Sequence, residues 1–126
     1  MRRLKPGKGL LHWLTNVDED GIAWLHLKTD GKSVNVLNYA VMAELENILD
    51  RLENKEDLKG VALLSGKQGG FVYGADIHEF ETLKTADDVA NHMLYVHGLF
   101  NRIEALPVPS CVGVDGIALG GGLEIA

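Results

Sequence analysis

The sequence is poor in the features that several function classes require. Its one cysteine, Cys111, leaves no partner for an internal disulfide; lying in an apolar run, it reads as a small core residue of a protein from a reducing compartment. Basic residues are outnumbered, 12 Lys and Arg against 18 Asp and Glu, for a net charge of −6. Apart from Arg2, Arg3, Lys5 and Lys8 they are scattered, so no basic face is available to phosphates and a nucleic-acid partner is not expected. No run approaches the roughly 18 apolar residues of a membrane span. The apolar stretch at residues 9–14 is short, is broken by His12 and lacks a small-residue cleavage site, which argues against a signal peptide. Repeats and low-complexity segments are absent. The five histidines, His12, His26, His78, His92 and His97, include no helical i, i+4 pair, and no metal site is expected.

What is present is ordinary for a globular domain: 126 residues, 46% apolar and 24% charged, enough for one core. The pattern along the chain predicts strands over residues 11–17 and 22–28, joined as a hairpin by the turn Asp18-Glu19-Asp20-Gly21. A polar loop over 29–38 leads into a helix over 39–53, with Met42, Leu45, Leu49 and Leu52 at helical spacing and Asn38 as N-cap. Residues 60–65 and 111–114 read as apolar strands buried on both faces. Between them lies a helix over 85–106, opened by Thr85 and Asp88 in a capping-box arrangement, striped by Val89, Met93, Val96, Phe100 and Ile103, and ended by Pro107 and Pro109. Trp13 and Trp24 read as packing residues of the hairpin, and the carboxylates Glu44, Glu46, Asp50, Glu53, Glu56 and Asp57 as a solvated face. Strands alternating with helices predict an α/β domain. The last helical turn, from Leu123, has little reason to be stable alone, so the chain reads as a truncation of something longer.

Two glycine-containing turns each follow an apolar strand and precede a helix start. The first is Gly70-Phe71-Val72-Tyr73-Gly74-Ala75-Asp76-Ile77; the second is Gly116-Ile117-Ala118-Leu119-Gly120-Gly121-Gly122-Leu123-Glu124. Neither carries a P-loop or a dinucleotide fingerprint. Helix starts expose unpaired N–H groups, and two such ends converging on one point would form an oxyanion hole. The same residues are equally compatible with plain tight turns, and Glu124 with a glutamate favoured by a helix amino terminus.

Gly74-Ala75-Asp76-Ile77 with Glu79-Phe80, followed by Asp115-Gly116-Ile117-Ala118-Leu119-Gly120-Gly121-Gly122-Leu123-Glu124, resembles the two signature segments of the crotonase (enoyl-CoA hydratase/isomerase) superfamily. The loop Ser33-Val34-Asn35-Val36-Leu37 and the helix end from Arg102 to Pro109 are similar to that family as well, and the likeness spans residues 10–126. Within the superfamily it is strongest to the hydratase part of multifunctional fatty-acid oxidation α-subunits. The resemblance implies a crotonase-like ββα spiral of which this chain is the amino-terminal half, and hydration of 2-enoyl-CoA thioesters through a stabilised enolate. It implies that Ala75 and Gly121 supply the oxyanion N–H groups, and that Gly74, Ala75, Asp76, Ile77, Gly120 and Gly121 bind the substrate. It makes Glu124 one of two catalytic carboxylates, the second lying beyond Ala126. No cofactor is implied, because coenzyme A is part of the substrate. The implied partners are an acyl-CoA, further copies of the chain in a homo-oligomer, and a thiolase subunit in the full-length protein. The implied setting is the bacterial cytoplasm or the mitochondrial matrix. Isomerisation, thioester hydrolysis and a non-catalytic coenzyme A module are the alternatives. Asp115, where the family more often has asparagine, and His78, where many hydratases have lysine, depart from the pattern.

The chain alone is expected to lack hydratase activity, and either to self-associate through exposed apolar surface or to order only in part near its carboxy terminus. Sedimentation and a crotonyl-CoA assay test this; a compact monomer that hydrates crotonyl-CoA above background contradicts both halves.

Overall fold

A computed structural model describes residues 10–126 and the backbone of residues 5 and 6. In chain order the elements are β1 (Lys5–Pro6), β2 (Trp13–Val17), β3 (Ile22–Leu27), α1 (Tyr39–Glu53), β4 (Gly60–Ser65), α2 (Ile77–Phe80), α3 (Ala86–Glu104), β5 (Ser110–Gly113) and α4 (Gly121–Ile125). The strands form one mixed sheet in the order β1-β2-β3-β4-β5. β2 and β3 are the antiparallel hairpin, β3 and β4 pair in parallel, and β4 and β5 pair in parallel as expected. Asp18 closes the hairpin: its Oδ1 accepts the N–H groups of Asp20 and Ile22, and its Oδ2 accepts Trp24 Nε1–H at 2.8 Å. The Trp24 bond, followed by those from the turn backbone, holds the Asp18 carboxyl below its ordinary value.

Alternation along the strands separates the sheet into two faces. Ala23, Leu25, Leu27, Val61 and Leu63 point to the core, where Val41, Met42, Leu45, Ile48 and Leu49 of α1 cover them. Trp13 is fully buried, and its Nε1–H donates to Val41 O, a partner that an indole needs once it leaves water. Asn38 caps α1 by accepting Val41 N–H at 2.8 Å, and Thr85 with Asp88 forms the reciprocal capping box of α3.

The structure corrects four expectations. First, β5 is not buried on both faces: it lies at the sheet edge, Val112 alone is half-buried, and Cys111 is exposed. Its apolar run is left uncovered among the described residues, which is the exposed surface that the expected self-association rests on. Second, the contact line of α3 is the predicted stripe only in part. Val96, Phe100 and Ile103 pack against the core as expected, but Val89 is exposed, Leu99 is the buried residue of the helix, and His92, Tyr95 and Arg102 add polar contacts to α1. Third, the acidic run is only partly a solvated face. Glu46 accepts the Tyr95 hydroxyl at 2.8 Å, Asp50 and Glu53 grip Arg102 at 2.7–2.9 Å, and Glu44 accepts the N–H groups of Leu11 and His12. That last pairing accounts for β2 beginning at Trp13 rather than at residue 11. Fourth, α4 starts at Gly121, two residues before the expected Leu123, because Gly120 at φ 49° makes the turn that a side chain would resist.

The cross-links between α1 and α3 run Tyr39 to His92, Glu46 to Tyr95, and Asp50 with Glu53 to Arg102, so the two helices point the same way. α3 ends at Glu104, before the Leu106-Pro107 step where the α conformation is disfavoured.

Gly98 sits inside α3 with open space around the position a Cβ would take. Gly98→Ala is therefore expected to raise stability by about 0.5–1 kcal/mol through the unfolded chain's lost freedom. Urea denaturation checks this, and a lowered midpoint contradicts the open environment.

Candidate active site

The glycine turns are positioned by a second, smaller ladder beyond the carboxyl ends of the main strands. Its three segments lie side by side: residues 35–37, 71–75 and 117–119. Leu37 bridges Ala75 and Val72 bridges Ala118, both in parallel. Tyr73 N–H donates to Asn35 O at 2.9 Å and Leu37 N–H to Gly74 O at 2.8 Å. On the other side Phe71 N–H and Val72 N–H share Ile117 O, and Leu119 N–H donates to Val72 O at 3.0 Å. The middle segment is thus held along both edges.

The Asn35 side chain locks this ladder to the main sheet. The residue is buried, and its Oδ1 accepts Thr29 N–H at 3.0 Å. Its Nδ2 donates to Ser65 Oγ at the end of β4 and to Phe71 O, both at 2.9 Å. Thr29, also buried, exchanges hydrogen bonds with the backbone of Val36 through its hydroxyl. Asn35 went unnoticed as a site residue in the sequence. Its signal was there: one amide side chain inside the apolar run Val34-Asn35-Val36-Leu37.

Gly74 and Gly122 allow the turns to touch. Gly74 has φ 105°, and a Cβ there would stand 3.1 Å from Leu119 O and 3.7 Å from Gly121 N. A Cβ on Gly122 would fall 2.2 Å from Val72 O, an impossible approach. The Ala75 and Gly121 amides thus belong to abutting turns. The bridge bond on this side goes to Gly74 O, the residue before Ala75, and neither the Ala75 nor the Gly121 N–H donates to an acceptor among the described residues.

The other expected residues divide. Asp76 caps α2, accepting His78 N–H at 3.0 Å, and pairs with Lys32 at 3.2 Å. The His78 N–H first, and Lys32 after it, hold its carboxyl below the ordinary value. Ile77 is exposed, and His78 and Asp115 lie at the surface. Ala75 and Asp76 line a hollow of about 460 Å³ together with Lys32, Tyr73 and His78. Glu124 opens instead on a hollow of about 530 Å³ between α3, β5 and α4, its carboxylate 57% exposed and its Oε2 3.4 Å from His97 Nε2. So the turns carrying Ala75 and Gly121 abut at Gly74, while the Glu124 carboxylate lines a different hollow from Ala75.

Glu79 was not singled out in the sequence as a site residue. Its carboxylate accepts Tyr39 N–H through both oxygens, at 2.9 and 3.1 Å, which ties α2 to the start of α1. Partial burial pushes its pKa up, against the pull of the Tyr39 N–H. No cluster of three or more His, Cys, Asp or Glu suited to a metal occurs among the described residues, and none of their helices is long and apolar enough to cross a membrane.

Residues 18–126 match the family model described as enoyl-CoA hydratase/isomerase. Among curated proteins the chain is similar to the fatty acid oxidation complex subunit alpha of Idiomarina loihiensis, 37% identical over 110 residues. That match covers 87% of this chain and 16% of the relative. The subunit alpha of Shewanella baltica is 38% identical over 108 residues, covering 86% of this chain and 15% of the relative. Among solved structures, an enoyl-CoA hydratase/carnithine racemase from Magnetospirillum magneticum superposes with a TM-score of 0.82 at 27% identity. That superposition covers 93% of this chain and 43% of the solved one. The chain therefore spans a small part of its curated relatives and less than half of the solved fold.

Replacing Asn35 by alanine strands the Thr29 N–H and the Phe71 carbonyl, at an expected cost of about 1–3 kcal/mol for buried groups left unpaired. Chemical denaturation reads the loss, and amide exchange at Tyr73 reads the loosened ladder. Unchanged stability and exchange would show that the amide is dispensable.

Proposed function

Because the chain belongs to the enoyl-CoA hydratase/isomerase family, as the match over residues 18–126 shows, we propose that it forms the amino-terminal half of a domain that hydrates 2-enoyl-CoA thioesters in fatty-acid oxidation. The observation that carries this reading is the pair of unpaired amides on abutting glycine turns. In the proposed reaction the thioester oxygen lies between the Ala75 and Gly121 N–H groups. Adding water across the α,β double bond drives charge onto that oxygen as the enolate forms. Donors fixed by the ladder meet the charge without reorganising, an effect worth about 10²–10³ in rate per donor. The ladder supplies this rigidity because Asn35, Leu37, Val72 and Ile117 fix the turns by their backbones rather than by mobile side chains.

Glu124 is the carboxylate of the reading, acting on the attacking water together with a second carboxylate from the other half of the domain. Glu124 and Ala75 line different hollows in this half of the domain, so the reading requires that the two open on one cavity in the whole domain. Gly74, Asp76, Ile77 and Gly120 contribute to the substrate-binding wall. No cofactor enters, because coenzyme A arrives with the substrate. The relatives are named as alpha subunits of a fatty acid oxidation complex, which supports assembly with other subunits; in this reading those are copies of the chain itself and a thiolase subunit. The half-domain alone is inactive in this reading.

Glu124→Gln in the protein carrying the whole domain keeps the side-chain shape and removes the acid/base function. Turnover of crotonyl-CoA is expected to fall by about 10²–10⁴ with binding nearly unchanged. Steady-state kinetics with a binding measurement check this. Equal losses in both would assign Glu124 a structural role, and hydration with Glu124→Gln as fast as in the parent would remove it from the mechanism.

A further inference from the structure

We propose that His97 is a positioning residue for Glu124, holding its carboxylate in the orientation that the hydration chemistry uses; this rests on the function proposed above. The backbone of Glu124 is well fixed. Its N–H donates to Gly120 O, and the next residue, Ile125, is buried in the core. The carboxylate is different. It ends a side chain with three rotatable bonds that is 57% exposed, and among the described residues its ion-pair partner is His97, at 3.4 Å and itself 53% exposed. A base must come within about 2.6–3.2 Å of the proton it takes, so a carboxylate free to sweep the hollow spends little time in place.

His97 is suited to restrain it. Its helix is anchored on either side, by Val96 and Phe100 packed against the core and by Leu99 buried within it. The imidazole points into the same hollow as Glu124. Among the residues lining that hollow His97 is the one basic side chain; the other titratable groups facing it are Glu104 from α3 and Cys111 from β5. The imidazole Nε2 is thus the side-chain group that the Glu124 carboxylate meets in this hollow. Exposed ion pairs add little to stability, so the contact can be removed without unfolding the protein, and its effect is expected in turnover.

The test is a double-mutant cycle on crotonyl-CoA hydration in the protein carrying the whole domain. His97→Ala is expected to lower kcat roughly tenfold by displacing the carboxylate, with KM and the denaturation midpoint little changed. His97→Gln, which keeps an N–H donor, should restore part of the loss. In a Glu124→Gln background His97→Ala should cost nothing further, whereas a merely structural role would cost the same in both backgrounds. A parent that hydrates crotonyl-CoA and is crippled by Glu124→Gln, yet is indifferent to His97→Ala or loses rate independently of Glu124, overturns this inference alone. A parent without hydratase activity, or one indifferent to Glu124→Gln, overturns the proposed function and this inference with it.

Discussion

The buried amide of Asn35 is the constraint on which the candidate site depends. One side chain satisfies three separated stretches of backbone and side chain: the exit from β3 at Thr29, the end of β4 at Ser65 and the start of the middle ladder segment at Phe71. Each of these groups would otherwise sit in the interior or at its margin without a partner, and buried unpaired groups cost more than the bonds they could form return. No apolar residue can substitute, because the position needs an acceptor and two donors at once. An aspartate offers the acceptor only. The amide thereby transmits the rigidity of the five-stranded sheet to a loop region that has little core of its own.

Below that region, stability comes from different sources in the two helical contacts. α1 covers the sheet with an almost unbroken apolar face, from Val41 through Leu52. α3 lies beside α1 with one buried residue, Leu99, with Val96, Phe100 and Ile103 half-buried against the core, and with a line of polar tips. The Tyr95 hydroxyl on Glu46 is part of that line, and burial with the adjoining carboxylate pushes its pKa up to about 12. Arg102 spans Asp50 and Glu53 in a forked grip suited to a guanidinium. Such exposed pairs are worth little each in stability. They specify how α3 lies on α1, while the apolar face holds the domain together.

Much of this was legible in the sequence because it is local. The Asn38 cap, the Thr85–Asp88 box, the Asp18 turn and the parallel pairing of β4 with β5 all follow from residues near one another or from the alternation of strands and helices. The glycine turns were legible as turns, and their pairing through the family resemblance; the structure adds why glycine is needed, positive φ at Gly74 and Gly120 and the close approach of Gly122 to Val72. What escaped was what depends on distant partners. Nothing near Glu46, Asp50 or Glu53 announces Tyr95 or Arg102, and an acidic run without visible partners reads as solvated. Asn35 escaped for the same reason, and Cys111 reads as a core residue from its apolar run although nothing among the described residues covers it.

The small ladder has a further consequence, for the order of events during folding. Its bonds join positions 35, 73 and 117, so it cannot form until two long loops have closed, whereas the β2–β3 hairpin needs only a four-residue turn. Closing loops costs entropy before the contacts repay it, and topologies dominated by distant pairings fold slowly. The chain is therefore expected to assemble its hairpin and the α1 layer first and its glycine turns last. During synthesis the turns wait for residue 117 to emerge, and until then the segment over 71–75 has one edge unpaired. That edge adds a transient aggregation hazard to the one set by the exposed edge strand β5.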